Sequence, residues 1–327
     1  MPSALVRWSM ARIVVIGAGV VGLTTALALE QDGHEVVILA KDAGDSIVSF
    51  VAGAVWYPFK VGPVDKVPAW AAATRTWMLE LSRITPEAGI DLLTRFELAN
   101  DDTRPWWASA TPDLELVREL HGQPLPKGAT HAWKFAAPRA EPRLFMAWLA
   151  GRLRARVRVQ TVTSLRETLA AEHADALVNC TGLAARALTD DRELVGVYGQ
   201  VVITEPGSLA LNECLGDERD EREMFYTIPR RSEVVLGGCA EPSPDDRPTV
   251  TTPEMTQTIL RRAAQLGLQP GRVIRERAGL RPFRPSVRLE HDREEPRIVH
   301  NYGHGGAGYT LCWGCSQEVV RLLKLAR

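Results

Sequence analysis

Apolar positions along the chain fall into two alternating rhythms from the start. Arg12-Ile13-Val14-Val15-Ile16 is an uninterrupted apolar run, which predicts a buried parallel strand. Ala26 and Leu29 then mark a helix face, Gly33 a helix stop, and Glu35-Val36-Val37-Ile38-Leu39 a second strand. Further on, Trp77, Leu81 and Ile84 keep helical spacing within 75–93, broken by Thr85-Pro86. Residues 100–142 are rich in Pro, Trp and acidic groups and predict loops and strands of a binding lobe. Glu141-Pro142-Arg143 starts an amphipathic helix over 144–154, with Pro where a helix tolerates it best. Residues 174–182 predict a strand ending on a Gly turn, and Val299 leads into a strand, a glycine loop and a helix from Tyr309. No repeat or long low-complexity segment interrupts this order.

Composition narrows the class without naming a chemistry. The chain has 327 residues, 45% of them apolar, and a net charge of −1. That is enough to bury a large core as one or two lobes. The near-neutral balance gives no basic face for nucleic acid, and no apolar run approaches the ~20 residues of a membrane span. Residues 1–10 hold one Arg and no apolar h-region, so they are not read as a signal peptide, and the chain does not end in Ser-Lys-Leu. Cytoplasm is the expected location. The five cysteines are scattered, without framework spacing. Cys312-Trp313-Gly314-Cys315 has the spacing of a redox dithiol near a helix start, where a thiolate would be stabilised. Its place in a terminal helix, away from any first strand–helix turn, favours buried structural cysteines. No metal site is expected.

Two glycine-rich segments carry the chemistry. Gly17-Ala18-Gly19-Val20-Val21-Gly22 lies between the first strand and first helix, the context that gives a G-x-G-x-x-G motif weight. Gly17 permits the tight turn, Gly19 lets backbone approach a pyrophosphate, and Gly22 lets helix and strand pack closely. The second strand ends Leu39-Ala40-Lys41-Asp42, without a carboxylate at its tip. Asp42 can reach a ribose hydroxyl from the following loop, whereas Lys41 would suit a 2′-phosphate and hence NADP. The second segment is His300-Asn301-Tyr302-Gly303-His304-Gly305-Gly306-Ala307-Gly308, with four glycines between 303 and 308. So many glycines leave main-chain groups open to a ligand, and the helix that follows can face developing negative charge.

This second segment closely resembles the signature of the D-amino-acid oxidase and D-aspartate oxidase family of flavoproteins. Further stretches resemble the same family: 49–58 with Ala52 and Gly53, Asn179-Cys180-Thr181-Gly182, Phe225-Tyr226-Thr227-Ile228-Pro229, and Gly279-Leu280-Arg281-Pro282-Phe283-Arg284-Pro285. In order, the resemblance covers about residues 11–60, 140–205 and 224–318, and is faint over 61–139. It implies an α/β protein: a discontinuous Rossmann-like FAD-binding domain (11–60, 138–195, 276–327) and a substrate-binding domain on a mixed β-sheet (61–137, 196–275). It also favours FAD, held non-covalently, over NADP. Residues Gly17 to Gly22, Lys41, Asp42, Ala52, Gly53, Val162, Thr181, Gly182, Gly303, Gly305, Gly306, Gly308, Tyr309 and Thr310 are the expected cofactor contacts.

The resemblance also distributes substrate roles. Arg281, stiffened by its Pro neighbour, is the expected carboxylate anchor, a guanidinium matching a carboxylate fork to fork. Tyr226 adds a hydroxyl, and the Gly306 carbonyl accepts from the amine. Arg284 and Arg288 are read as structural, and His300 and His304 as supporting groups. Some relatives carry a lid Tyr where this chain has Arg222. The implied reaction is oxidative deamination of neutral D-amino acids: hydride passes from Cα to flavin N5, and O2 takes the electrons. The products are a 2-oxo acid, ammonia and hydrogen peroxide. The nearest alternatives are a D-aspartate oxidase or a glycine- or sarcosine-type amine oxidase, and from another class a non-catalytic FAD- or NADP-binding protein. A homodimer is left open.

Overall fold

The computed structural model describes residues 10–325 apart from 43, 45, 46, 121 and 244–248. The signal-peptide reading therefore falls on residues outside the described ones, as does the extreme C-terminus. The first strand–helix–strand unit is β1 (Arg12–Ile16), α1 (Val20–Gln31) and β2 (Glu35–Ala40). Helix α1 is buried on every side, Val20 and Gly22 through Leu29 all being covered. A helix apolar all round belongs inside a protein, and α1 packs between the sheet and the C-terminal helix.

A short α2 (Val48–Val51) leads to α3 (Val67–Ile84). This helix starts before the expected 75 and stops at Ile84, since Thr85-Pro86 ends it. Residues 90–93, expected to continue it, instead open the strand β3 (Ile90–Ala99). Pairing with a strand distant along the chain, over 131–140, decides this, and the local spacing does not show it. Short strands β4 (Glu115–Val117), β5 (Glu119–Leu120) and β6 (Gln123–Pro124) follow, then β7 (His131–Ala140). Helix α4 (Pro142–Arg152) begins at Pro142 as expected. The chain returns through β8 (Val157–Val159), α5 (Leu165–Ala171), β9 (Ala176–Asn179) and α6 (Ala185–Thr189).

The second half is mainly sheet. Strands β10 (Val195–Thr204), β11 (Glu213–Asp217), β12 (Phe225–Pro229), β13 (Val234–Gly237) and β14 (Glu241–Ser243) precede α7 (Pro253–Gln265). Strand β15 (Val273–His291) is 19 residues long and antiparallel to both β10 and β16 (Ile298–His304). Helix α8 (Gly308–Leu325) ends the described chain. Among the described residues one 14-stranded sheet runs β4-β7-β3-β11-β12-β13-β10-β15-β16-β9-β1-β2-β8, with β14 paired to β10. At one end, β16, β9, β1, β2 and β8 pair in parallel. At the other end pairing is mixed, β11 running parallel to β3 and antiparallel to β12. The long strand β15 joins the two regions, so groups on the mixed sheet are held rigidly relative to the parallel tips.

Candidate active site

A cavity of about 840 Å³ opens where the parallel strands end and the mixed sheet begins. It is towards the upper end of the roughly 300–1,000 Å³ range of small-molecule sites, and it lies at the carboxyl ends of parallel strands, where open α/β sheets bind ligands.

The glycine turn after β1 forms one wall. Gly17, Ala18, Gly19, Val20 and Val21 line the cavity. Gly17 has φ +114°, in the region open to glycine, and a Cβ there would collide with the Cys180 carbonyl. A Cβ on Gly22 would collide with the Gly17 carbonyl, so Gly22 holds helix against turn from behind the cavity. Gly19 caps α1 without a side chain of its own, and the Ser49 hydroxyl accepts from the Val20 amide at 3.0 Å at the edge of the space. Lys41 and Asp42 line it just beyond β2, and Val162 faces it from the neighbouring loop. Ala52 and Gly53 line it as expected, and a Cβ on Gly53 would strike the Ile228 side chain.

The turn after β9 is fixed by a side chain. Asn179 Oδ1 accepts from the Thr181 amide at 3.2 Å and from its hydroxyl at 2.7 Å, presenting Thr181 and Gly182 to the cavity. On the far side, Gly305, Gly306, Gly308 and Tyr309 line it. Besides Gly22, two expected contacts do not. Gly303 lies under Arg284, whose Cβ would be 2.8 Å from an added Cβ. Thr310 sits behind the wall, its hydroxyl accepting from the Tyr57 amide at 3.1 Å and donating to the Tyr57 carbonyl at 2.9 Å. The signature is also less of a loop than expected: 300–304 is strand, and only 305–307 turns before α8.

Two recognition groups stand on the mixed sheet. Arg281 and Tyr226 both line the cavity. The Arg281 guanidinium lies over Gly199 of β10, where a Cβ would be 2.5 Å from Nη2. The Tyr226 ring lies over Gly237 of β13, where a Cβ would be 2.6 Å from Cε2. Arg281 Nη1 donates to the carbonyls of Cys239 at 2.9 Å and Tyr198 at 3.3 Å, which fixes the fork. No carboxylate forms an ion pair with it among the described residues. Burial raises the Tyr226 phenol above its ordinary range, and the nearby Arg281 charge opposes this, so the hydroxyl stays a donor. A fixed cation beside a neutral hydroxyl has the chemistry to bind a carboxylate. Gly306 adjoins Arg281: a Cβ there would be 3.5 Å from Arg281 Cδ and 2.8 Å from Phe59 Cδ1.

Other expectations resolve around this pair. Arg284 donates to Asp191 at 3.0 Å and Arg288 to the Tyr302 hydroxyl at 2.8 Å, so both are structural. Arg222 does not line the cavity; its carbonyl accepts from Arg262. Cys312 and Cys315 are free and buried, and burial pushes the Cys312 thiol up to about 12, away from a stabilised thiolate. His300 holds Asp292 at 3.1 Å. His304 lines the cavity, with Nε2 buried and without a partner among the described residues, and burial lowers it to about 4. Asn301 Oδ1, on the same wall, is equally without a partner.

Sequence reading missed four groups. Gly199 and Gly237 interrupt apolar strands, the usual sign of close approach from above. Arg95 and Glu218 line the cavity as well. Arg95 stood between the segment read as helix and the one read as loops and strands, and Glu218 in the charged stretch around Arg222.

The turn, the helix start and the unpartnered Asn301 and His304 atoms fit a flavin dinucleotide. Residues 12–322 match the family described as FAD dependent oxidoreductase, DAO. The chain is 39% identical over 324 residues to a protein of Rubrobacter xylanophilus named D-amino-acid oxidase, covering 96% of each chain. It is 35% identical to one of the same name from Streptomyces coelicolor, covering 95% of this chain and 96% of that one. Among solved structures, glycine oxidase from Geobacillus kaustophilus superposes with a TM-score of 0.77 at 18% identity, covering 97% of this chain and 95% of that one. Glycine oxidase from Bacillus cereus gives 0.74 at 20%, covering 97% and 96%.

Proposed function

The chain belongs to the DAO family of FAD-dependent oxidoreductases, and from that premise we propose that it oxidises neutral D-amino acids to 2-oxo acids, releasing ammonia and hydrogen peroxide. The observation that carries this reading is the Arg281–Tyr226 pair, set over two glycines on the wall of the cavity that the glycine turn enters. Bound non-covalently, FAD supplies the hydride acceptor and passes the electrons to oxygen.

In this reading Gly17 to Val21, with the start of α1, hold the pyrophosphate, and Asp42 or Lys41 meets the ribose. Thr181 and Gly182 complete the cradle with the turn at Gly305 and Gly306. Residues 11–60, 138–195 and 276–327 serve this cradle and the rest the substrate, although β15 runs through both. Arg281 and Tyr226 hold the α-carboxylate, while the Gly306 carbonyl accepts from the amine. Two fixed points leave one enantiomer with its Cα hydrogen towards the cofactor. No side-chain base is required at Cα: the protein binds, orients and excludes water. The imino acid is released and hydrolysed in solution. The site is closed to an acidic side chain, because Gly237-Gly238-Cys239-Ala240 offers no second cation. An unpaired carboxylate buried there would cost several kcal/mol.

No helix among the described residues is long and apolar enough to cross a membrane. A cytoplasmic enzyme, working alone or as a homodimer, completes the proposal. The test is peroxide release over a panel of D- and L-amino acids: turnover of D-alanine without L-alanine supports it, and turnover of neither overturns it.

A further inference from the structure

A pair of charged side chains lies over a third glycine near Tyr226 and Arg281. Arg95 and Glu97, from β3, lie over Gly216 of β11, where a Cβ would be 2.7 Å from Glu97 Cδ. Gly216 pairs with Tyr226. Along the sheet the cavity therefore meets Arg281 over β10, the Tyr226 ring over β13 and Arg95 over β11. Strands are about 4.8 Å apart, so Arg95 stands roughly 10 Å beyond the Tyr226 ring. A side chain pointing away from the carboxylate receptor has that distance to cross.

Arg95 is turned inward. Its Nε and Nη2 both donate to Glu97 Oε2, at 3.0 and 2.6 Å, and its guanidinium lies 4.1 Å from the Tyr57 ring centre. The two side chains are 2% and 7% exposed and neutralise each other. Glu218, directly after β11, is placed differently. It lines the cavity and accepts from the Tyr57 hydroxyl at 3.3 Å. No cation forms an ion pair with it among the described residues, since the nearby Lys60 pairs with Glu221 at 3.0 Å. Burial and then the Glu97 charge push its carboxyl up to about 8, against the opposing charges of Arg95 and Lys60. This end of the cavity thus has a hydrogen-bond acceptor that is negative when ionised and that forms no direct ion pair among the described residues.

We infer that Glu218 forms the end of the substrate's side-chain pocket and accepts a side chain ending in an ammonium group, so that basic D-amino acids of lysine length are substrates. This deepens the D-amino-acid reading and rests on it. A flexible four-carbon stem carrying a compact charge suits a carboxyl on the cavity wall just after β11, two strands from the Tyr226 ring. The same carboxyl offers no cation to an acidic side chain.

The test compares the holoenzyme with E218Q, measuring kcat/KM by oxygen uptake for D-lysine and for D-norleucine, an uncharged chain of similar length. The ratio of D-lysine to D-norleucine should fall at least ~10-fold in E218Q, about 1.4 kcal/mol of discrimination. An unchanged ratio overturns the pocket and leaves the oxidase reading standing. If E218Q does not fold, the unaltered enzyme decides: D-lysine against D-norleucine should give a higher ratio than D-ornithine against D-norvaline, and an equal or lower one overturns the inference. Absence of D-alanine turnover overturns the oxidase reading itself, and the pocket with it.

Discussion

Arg281 occupies the space that a side chain at position 199 would fill: a Cβ on Gly199 would stand 2.5 Å from its Nη2. The atoms displaced by such a Cβ are the far end of a flexible side chain, not backbone. Gly199→Ala should therefore fold, with Tm within a few degrees of the unaltered protein, but push the guanidinium off its carbonyl anchors. KM for D-alanine is expected to rise about 10-fold or more, the equivalent of ~1.4 kcal/mol. Unchanged KM would show that Arg281 is not held by this contact.

Arg281→Ala should weaken substrate binding more severely. Truncating one partner of a desolvated charge pair costs ~2–5 kcal/mol, or roughly 30-fold to several thousandfold in affinity. Benzoate-like carboxylates, followed by the change they cause in the flavin spectrum, should weaken in parallel. Near-normal kinetics would remove Arg281 from the site.

The cofactor cradle makes a separate prediction. A Cβ on Gly22 would collide with the backbone carbonyl of Gly17, which cannot swing away. Gly22→Ala should lose both FAD and stability, in contrast to Gly199→Ala. In the unaltered protein, denaturation should release flavin into the supernatant. Colour that stays with the precipitate would contradict non-covalent binding.

His304 ties stability to pH. Burial lowers its folded-state value to about 4, against ~6.5 when unfolded. As pH falls below ~6.5 the unfolded chain takes up a proton that the folded chain refuses until about 4, so stability is present at neutral pH and is lost across that window. The contribution is on the order of 3 kcal/mol at most. Chemical denaturation between pH 7.5 and pH 5 should show the loss, and His304→Asn should reduce it. An identical slope in the variant would assign the loss elsewhere.

What was legible in the sequence follows from how local each signal is. The first strand–helix–strand unit and its glycine roles are set by neighbouring residues, and Gly17 and Gly22 act as their spacing suggested. Arg281 stood out because its Pro neighbours and the surrounding string are contiguous. The helix misplaced at 75–93 arose because Trp77, Leu81 and Ile84 satisfy helical spacing, while β3, after Pro86, is set by pairing with the distant β7. Gly303 and Thr310 belong to the signature string, yet strand pairing turns Gly303 towards Arg284, and Thr310 faces Tyr57. Glu218, Arg95 and the glycines beneath the recognition groups were hidden for another reason. They meet only when β3, β11, β12, β13 and β10 pair, over separations of up to a hundred residues or more.

The measurement that bears most directly on the account is kcat/KM for D-alanine, D-valine and D-aspartate beside their L-enantiomers. With the carboxylate held at Arg281 and Tyr226 and the amine at Gly306, D-alanine and D-valine should be oxidised and the L-forms not. D-aspartate should be slower by orders of magnitude, its second carboxylate having no free cation and facing Glu218. A value for D-aspartate equal to or above that for D-alanine, or turnover of an L-enantiomer, would contradict it.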